Sequence, residues 1–256
     1  MLDINHLSKR WGAGTLDERM AVRDVSLHLD TGDFLVVVGG NGSGKSTLLN
    51  LIAGVHRADG GSIFLDDVNL TALPEYKRAS YIGRVFQDPL LGSADGMTVE
   101  ENLALAVRRG KKRGLRWGVT AKERTEFREM LAQLELGLEN RLQSKVGLLS
   151  GGQRQALTLL MAAAMRPKLL LLDEHTAALD PKTAARILAL TKSLIERHQL
   201  TAIMVTHSMK DAAALGSRLI MMREGEVLYS AAGEDKRRLT AMDLLDRFHE
   251  EEAVGA

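Results

Sequence analysis

A buried strand, a glycine-rich turn and a helix follow one another in Phe34-Leu35-Val36-Val37-Val38-Gly39-Gly40-Asn41-Gly42-Ser43-Gly44-Lys45-Ser46-Thr47 and the residues after it. The apolar run Phe34–Val38 predicts the strand, and residues 48–53 predict the helix. Residues 39–47 between them have the spacing of a phosphate-binding P-loop. Glycines let successive backbone N–H groups turn inward around phosphate oxygens, and the helix start adds a partial positive charge. The stretch therefore predicts binding of a nucleoside triphosphate.

Side chains of this loop have separate predicted roles. Lys45 reaches the β- and γ-phosphates, and the Ser46 hydroxyl is placed to ligate Mg²⁺. Gly54 supplies a stop for the helix that follows. A chance glycine turn is the alternative, and the strand before it and the helix after it argue against chance. The predicted nucleotide-binding residues of the loop are Gly39, Gly40, Asn41, Gly42, Ser43, Gly44, Lys45, Ser46 and Thr47.

Composition and charge exclude several classes of protein. With 256 residues and 45% hydrophobic content, the chain suits one large domain, or one domain with an inserted subdomain. The net charge of +1 gives no overall attraction to nucleic acid, which we do not expect as a partner. The absence of cysteine excludes disulfides and thiolate chemistry. No run approaches the ~20 apolar residues of a membrane-spanning helix, so we expect any work at a membrane to be done from its side.

Two strand patterns predict two kinds of sheet. Apolar and polar residues alternate over 22–30, which is typical of a half-buried antiparallel strand, and 63–65 predict another short strand. Phe34–Val38, 169–172 and Ala202–Val205 are instead continuous apolar runs, as in parallel strands covered on both faces. The expected fold class is therefore α/β, with a mixed core sheet and an antiparallel β subdomain.

A helical segment interrupts this pattern. Residues 98–143 are rich in Leu, Ala, Glu and Arg and have no β-branched run, which predicts an inserted α-helical subdomain. We expect one domain, with the core and β subdomain over about 1–88 and 150–235, the insert over about 89–149 and a helical tail over 236–256. Five tail residues are expected to form one apolar face packed on the domain: Leu239, Met242, Leu244, Leu245 and Phe248.

The insert carries a basic segment, Arg108-Arg109-Gly110-Lys111-Lys112-Arg113-Gly114-Leu115-Arg116-Trp117, with six basic residues and no acid. Its glycines favour a loop or a helix break. We expect a solvated basic loop, because charge runs usually have that structure. Two alternatives stay open: an arm that contacts lipid headgroups or a partner, and nucleic-acid binding through Trp117 and the arginines.

A second strand end carries two carboxylates, in Leu169-Leu170-Leu171-Leu172-Asp173-Glu174. This is the form of a Walker B element, in which Asp173 holds Mg²⁺ directly or through water. Glu174 is placed to polarise an attacking water as a general base, which favours hydrolysis over transfer to a substrate. The structural alternative is a pair of acids that cap the next helix, and the complete P-loop in the same chain argues against it.

A second phosphate-binding position is predicted at Leu149-Ser150-Gly151-Gly152-Gln153. The strongly helical segment 156–165 follows it, which makes Ser150 a good N-cap. The two glycines leave free N–H groups at the helix start open to an anion. Helix capping alone would explain Ser150 but not the Gly-Gly-Gln beside it.

With this pentapeptide the chain resembles the ATP-binding cassette (ABC) family of P-loop NTPases over nearly its whole length. The family's order is an aromatic residue, a P-loop, a glutamine loop, the Leu-Ser-Gly-Gly-Gln signature, Walker B, a D-loop and a switch histidine. These motifs correspond to Trp11, 39–47, Gln87, 149–153, 169–174, 178–180 and His207. The resemblance implies an ATPase that uses ATP and Mg²⁺.

The resemblance also implies residue roles. Trp11 would stack on adenine, with a packed core aromatic as the alternative. Gln87 would contact Mg²⁺ or the water, and His207 would meet the γ-phosphate. The implied catalytic residues are Lys45, Gln87, Glu174 and His207. The implied metal ligands are Ser46, Gln87 and Asp173. The nucleotide-binding set gains Trp11, Ser150, Gly151, Gly152, Gln153 and Asp180.

In this family the signature of one subunit closes over the P-loop of another, which implies that two copies of the chain form two sites. ATP would hold the copies together and hydrolysis would release them. Asp180 would lie at their interface. One departure from the family pattern is His175, which follows Glu174 where the family usually has Pro. It removes no ligand or base, so we expect competent hydrolysis.

The implied function is to energise a membrane transporter that imports a small solute. Residues 96–103 resemble the same segment of import ATPases, and 173–181 resemble a bacterial branch associated with amino-acid or aromatic solutes. The implied partners are transmembrane permease subunits and an extracytoplasmic solute-binding protein, with the chain peripheral on the cytoplasmic side of the membrane. Export of lipid or lipoprotein, and a soluble non-transport cassette protein, remain alternatives.

Overall fold

The computed structural model describes residues 1–111 and 118–254, with the backbone alone for 249–254. The strands are β1 (Leu2–Trp11), β2 (Arg19–Leu29), β3 (Phe34–Val38), β4 (Gly60–Leu65), β5 (Val68–Asn69), β6 (Ile82–Val85), β7 (Leu169–Asp173), β8 (Ala202–Val205), β9 (Arg218–Arg223) and β10 (Glu226–Ala232). The helices are α1 (Lys45–Ala53), α2 (Glu75–Arg78), α3 (Val99–Val107), α4 (Ala121–Ala132), α5 (Gly151–Ala163), α6 (Pro181–His198), α7 (Met209–Ala214), α8 (Gly233–Arg238) and α9 (Ala241–Val254). None of these described helices is long and apolar enough to cross a membrane.

The chain divides into two compact units. The first unit contains Met1–Arg78 and Gln199–Ala256, and the second contains Ala79–His198. The first unit therefore holds the predicted P-loop and His207. The second holds the predicted glutamine loop, signature and Walker B element.

An antiparallel sheet of the first unit has the strand order β2-β1-β4-β5. The central strand β1 pairs Ile4 with Leu27 of β2 and with Ile63 of β4. Val25 and Leu29 are buried, whereas Ser26 and His28 are exposed. The alternation predicted for β2 is therefore confirmed, because successive side chains of a strand point to opposite faces.

A second set of strands in the first unit surrounds β3. This strand runs parallel to both β8 and β9, and all five of its residues are buried. Strand β10 returns antiparallel to β9 after a turn at Glu224 and Gly225. The continuous apolar runs predicted to be parallel strands are thus confirmed for β3 and β8. Their carboxyl ends meet at one edge of the sheet.

The second unit combines a parallel strand pair, β6 and β7, with four long helices. Helices α3 and α4 lie inside the segment that the sequence predicts to be helical. Both begin with a capping box, Thr98 with Glu101 and Thr120 with Glu123. The helices bury a common core: Val99, Leu103, Ala104, Phe127, Leu131, Leu134, Leu138, Leu142, Val146, Leu149, Ala156, Leu157, Leu160 and Ile187.

The basic segment differs from the solvated loop predicted for it. Arg108 donates to Glu123 Oε1 at 2.7 Å, and Arg109 donates to the Ala162 carbonyl at 3.4 Å. Burial lowers the pKa of the Arg109 guanidinium from its ordinary value. The prediction is wrong for these two residues, because an acid and a backbone carbonyl of the same unit bind them. Residues 112–117, including Trp117, lie outside the described residues, so both alternatives stay predictions there.

The C-terminal helical tail also differs in part from the structure predicted for it. In α9, Leu244 is fully buried and Phe248 is half-buried, but Met242 is 66% exposed and Leu245 is 38% exposed. Leu244 and Phe248 are four residues apart and share one side of the helix, whereas the exposure of Met242 and Leu245 shows that they are not packed with them. The prediction of a single packed face is therefore wrong for Met242 and Leu245.

The α4 cap gives a prediction about acid stability. Hydrogen bonds from the Thr120 backbone and from Arg108 lower the pKa of Glu123 from 4.5 to about 2. A carboxyl with a lower pKa in the folded state stabilises the fold above pH 4.5 and loses that contribution as the pH falls toward 2. Glu123→Gln keeps a capping side chain but not the charge, so it should lower the free energy of unfolding at neutral pH by about 1 kcal/mol. Urea titrations should show the difference disappearing in acid, and a pH-independent difference would contradict the assignment.

Candidate functional site

The turn after β3 follows a path that only glycine permits at two positions. Gly39 has φ 153° and Gly44 has φ 101°, both in the left-handed half of backbone space. A Cβ on Gly39 would lie 2.2 Å from the Met222 carbonyl oxygen, and one on Gly44 would lie 2.2 Å from the Ala21 carbonyl oxygen. The backbone of this loop therefore passes directly against neighbouring strands.

Lys45 is buried within its own loop. It is 6% exposed, and its Nζ donates to the carbonyl oxygens of Gly39 at 2.9 Å and Gly40 at 2.8 Å. The ammonium thus lies over the start of the loop, at the N-terminus of α1, where the positive charge of the side chain and of the helix dipole favours a phosphate. Ser46, the next residue along the chain, is exposed.

The far end of α1 is anchored by a buried arginine. Arg78 is 2% exposed, and its Nη1 donates to the carbonyl oxygens of Leu51 at 2.7 Å and Ile52 at 2.8 Å. A Cβ on Gly54 would lie 2.6 Å from Arg78 Nε, which explains the glycine that ends this helix. Both ends of α1 are therefore fixed by specific contacts.

Trp11 lies at the end of β1 and is half-buried. Lys9 Nζ stands 4.9 Å from the centroid of the indole ring, and the His56 ring contacts the indole edge-on with centroids 4.8 Å apart. Lys9 is held in turn by Asp59 Oδ1 at 2.8 Å, and this hydrogen bond lowers the pKa of Asp59. Polar neighbours and partial exposure distinguish Trp11 from an aromatic residue enclosed in the core.

His207 follows β8 at the sheet edge where the phosphate loop begins. Thr206, the residue before it, donates its N–H to the Val37 carbonyl at 3.1 Å. Val37 lies two residues before Gly39, so the parallel pairing of β3 and β8 brings His207 to the edge that carries the loop. The residue is exposed, and Ser208 after it caps α7 through the Asp211 N–H.

In the second unit, three predicted site residues lie just after or at the carboxyl ends of two parallel strands. Strands β6 and β7 run in register with Val85 opposite Leu172, so Gln87 follows one strand end and Asp173 and Glu174 the other. Gln87 is exposed, and Asp173 and Glu174 are half-buried. Glu174 has φ 39°, in the left-handed region that L residues rarely adopt.

Arg84 is a neighbour of Asp173 that the sequence reasoning did not identify. It lies on β6, and its Nη2 donates to Asp173 Oδ2 at 3.2 Å. Its guanidinium also stacks over the Phe86 ring at 4.5 Å. The sequence does show a charged residue inside the short apolar strand β6, and a buried charge is costly unless an opposite charge pairs with it. The sequence does not show which strand lies beside β6 and supplies the acid.

The Ser150–Gln153 segment and the D-loop line one pocket of about 310 Å³. Ser150 Oγ accepts the Gln153 N–H at 3.3 Å, and the Gln153 side chain accepts the Ser150 N–H at 3.2 Å. This bond uses the Ser150 hydroxyl as an acceptor and does not use its hydrogen. Asp180 lines the same pocket and caps α6 through the Thr183 N–H at 3.1 Å. The predicted signature residues and Asp180 are therefore brought together.

Gln153 has a further structural role. Its Oε1 accepts from Arg141 Nη1 at 3.2 Å, and its Nε2 donates to the Leu136 carbonyl at 3.2 Å. These bonds join the start of α5 to the segment after α4. The sequence predicts Gln153 as a nucleotide ligand, and the structure adds these two contacts with the helical region.

His175, the departure from the family pattern, is an internal residue. It is 2% exposed, and its Nε2 lies 2.9 Å from Thr191 Oγ1 of α6. Burial lowers the pKa of this imidazole to about 4, so the ring is neutral at physiological pH.

The donors at the loop suit a triphosphate with Mg²⁺. Among the residues that the structure describes, no group of three or more His, Cys, Asp or Glu side chains forms a metal site by itself. Mg²⁺ usually binds through one or two protein ligands together with phosphate oxygens and water. Ser46 carries a hydroxyl and Asp173 a carboxylate, which are ligand types that Mg²⁺ prefers.

Comparison with known proteins agrees with this chemistry. The family model described as ABC transporter matches residues 22–177. The chain is 42% identical to the tyrosine transport ATP-binding protein of Clostridioides difficile, over 97% of this chain and 98% of that protein. It is 37% identical to the sulfate/thiosulfate import ATP-binding protein CysA of Xanthomonas campestris pv. campestris, over 88% of this chain and 62% of that protein.

Solved structures give the same answer for the fold. A dimeric structure of the ATP-binding cassette MJ0796, in a post-hydrolysis state with ADP and phosphate, superposes with a TM-score of 0.77. The two sequences are 32% identical, and the match covers 91% of this chain and 98% of that cassette. The expected α/β cassette fold is therefore confirmed. The chain belongs to the ABC transporter family and is one of its ATP-hydrolysing cassettes.

Proposed function

We propose that this chain energises an ABC importer for an amino acid of the aromatic type. The observation that carries the proposal is its similarity, over almost the full length of both chains, to a protein named for tyrosine transport. Other similar proteins are named for sulfate and thiosulfate import and for energy-coupling factor transport. The proposed partners are transmembrane permease subunits and an extracytoplasmic solute-binding protein, and the proposed location is the cytoplasmic face of the membrane.

We propose the following division of work on ATP. Trp11 stacks on adenine, and the loop N–H groups with Lys45 hold the β- and γ-phosphates. Ser46, Gln87 and Asp173 hold Mg²⁺, which supplies charge neutralisation on the phosphates when bound.

Hydrolysis itself is assigned to Glu174 and His207. Water attacks the γ-phosphorus, its proton passes to the Glu174 carboxylate, and the bond to the β-phosphate oxygen breaks to leave ADP and phosphate. His207 donates a hydrogen bond to the γ-phosphate, which stabilises the charge that develops in the transition state. Lys45 acts on the same charge through its ammonium.

A complete site needs two copies of the chain in this proposal. The Ser150–Gln153 pocket offers an anion the hydroxyl group of Ser150 and the N-terminus of α5. We propose that it binds the γ-phosphate held by the P-loop of a second copy. ATP then holds two subunits together, and its hydrolysis weakens their association. This cycle of association and release produces the conformational change.

A groove in the second unit is the proposed docking site for the permease. It has a volume of about 420 Å³ and is lined by Arg84, Leu91, Gly92, Ser93, Ala94, Asn102, Leu105, Ala106, Arg109, Thr158, Met161 and Ala162. Leu91 and Leu105 are 70% and 41% exposed and give this groove an apolar surface. Its arginines already have partners within the unit, since Arg84 pairs with Asp173 and Arg109 donates to the Ala162 carbonyl. We propose that an amphipathic permease helix places its apolar side against Leu91 and Leu105.

Glu174→Gln tests the assignment of the general base. The variant should bind ATP with unchanged affinity and hydrolyse it about 10²- to 10⁴-fold more slowly, because the proton acceptor is gone. With ATP and Mg²⁺ it should accumulate as a dimer, measured by size-exclusion chromatography with light scattering. Unchanged turnover would remove Glu174 as the base.

Adding Ser150→Arg to the Glu174→Gln chain tests the two-copy site. The bulky cation at the pocket should prevent the ATP-dependent dimer while the P-loop still binds ATP. Lys45→Ala in the same background is the comparison, because it should remove ATP binding and the dimer together. A dimer that persists in the Ser150→Arg chain would contradict the composite site.

Trp11→Ala should weaken ATP binding by about tenfold or more, since stacking of a base on an aromatic ring contributes about 1–3 kcal/mol. Trp11→Tyr should restore most of the affinity. The control is Tyr76→Ala, which removes an aromatic ring that is 74% exposed on α2. Equilibrium binding of a fluorescent ATP analogue measures all three, and equal affinity in Trp11→Ala would make Trp11 a packing residue only.

Leu91→Asp should disrupt permease binding because it places a charge on the apolar part of the groove. The matched control is Met242→Asp on α9, since these two side chains have similar exposure, 70% and 66%. Cosedimentation with membranes that contain the transporter's permease subunits should fall for Leu91→Asp and not for Met242→Asp, with ATP affinity unchanged in both. Equal cosedimentation would place the docking site elsewhere.

A further inference from the structure

We propose that His175, through its hydrogen bond to Thr191, is a positioning residue that holds Glu174 in its catalytic conformation. The proposal rests on the assigned role of Glu174 as general base. His175 follows Glu174 directly and anchors the strand end to the middle of α6. No described contact places His175 in the proposed nucleotide site, so its action is indirect.

The direction of the hydrogen bond follows from the second bond that Thr191 makes. Thr191 is fully buried, and its hydroxyl donates to the Ile187 carbonyl, one helical turn earlier, at 2.8 Å. A hydroxyl has one hydrogen, so Oγ1 is left as an acceptor toward His175 Nε2 at 2.9 Å. Nε2 must therefore carry the proton, which fixes one tautomer of the neutral ring. The chain of bonds runs from the imidazole through the threonine to the helix backbone.

The backbone of Glu174 explains why such an anchor is needed. Its φ of 39° lies in the left-handed region, where a side chain with a Cβ is strained. Strained conformations persist when the surrounding structure holds them, and they concentrate at functional sites. The turn after Glu174 closes through the Ala177 N–H, which donates to the Glu174 carbonyl at 3.0 Å. The His175 bond supplies a further attachment, from the side chain of the next residue to α6.

The residue types on α6 support a specific bond rather than general packing. Thr191 lies among the buried residues Ile187, Leu194 and Ile195 of this helix, which are all aliphatic. A polar side chain is costly in such surroundings unless it is hydrogen-bonded. Loss of the Thr191 hydroxyl should leave the buried His175 Nε2–H without this acceptor and release the residue beside Glu174. The carboxylate would then leave its position for proton transfer while the P-loop, in the first unit, keeps its own contacts.

Thr191→Val is the main test, because valine keeps the shape and removes the acceptor. In the full-length chain, kcat for ATP hydrolysis should fall about ten- to hundredfold, because that is the loss expected for a catalytic group displaced by about 1 Å. KM for ATP should stay within about twofold of its original value. Thr191→Ser retains the hydroxyl and should restore kcat. Equal losses in the valine and serine variants, or a lowered melting temperature with unchanged kcat, would overturn the proposal.

A double-variant cycle separates this inference from the assignment of the base. If Thr191 acts through Glu174, Thr191→Val should cause no further loss of kcat in the Glu174→Gln chain, whereas independent effects would multiply. Multiplied losses would overturn the positioning role. Glu174→Gln with full turnover would instead overturn the assignment of Glu174 as the base.

If Thr191→Val folds poorly, a comparison of His175→Gln with His175→Leu tests the same hydrogen bond, because glutamine keeps an N–H donor and leucine does not. Equal kcat in these two variants would overturn the proposal.

Discussion

The close approach of the loop after β3 to neighbouring backbone is the constraint on which the phosphate-binding part of the molecule depends. Carbonyl oxygens of Met222 and Ala21 occupy the space that a Cβ on Gly39 or Gly44 would need. Because the loop has no side chains at these points, it can turn its N–H groups inward and begin α1 at Lys45. Burial of β3 between β8 and β9 holds the loop in that position.

In each of the two units, parallel strands collect the chemical groups. The pairing of β3 and β8 brings His207 to the edge where the loop begins, and the pairing of β6 and β7 brings Gln87 beside Asp173 and Glu174. The interiors of β3, β7 and β8 are apolar, whereas polar residues follow β7 and β8. The strands thereby fix the positions of side chains on the loops that follow them, the usual arrangement in α/β enzymes.

The N-termini of helices are the second feature that positions candidate ligand-binding groups. Capping boxes at Thr98, Thr120 and Ser150 all satisfy the same backbone N–H groups, yet only Ser150 is followed by two glycines and opens onto a pocket that also contains Asp180. The same local device therefore has a structural role in α3 and α4 and a proposed ligand-binding role in α5. The difference lies in what surrounds the cap.

The sequence by itself determined several local features: the glycine loop, the types of the strands near 22–30, 34–38, 169–172 and 202–205, the cap at Ser150, and the identity of the residues at these strand ends. Spacing and residue type specify these features over a few neighbouring positions. Only the tertiary structure decided which distant groups meet, such as Arg84 with Asp173, 89 residues apart, or His175 with Thr191. It also decided that Met242 and Leu245 stay exposed and that Arg108 pairs with Glu123. These outcomes depend on which strands and helices become neighbours and on how deeply each side chain is buried, and no local pattern carries that information.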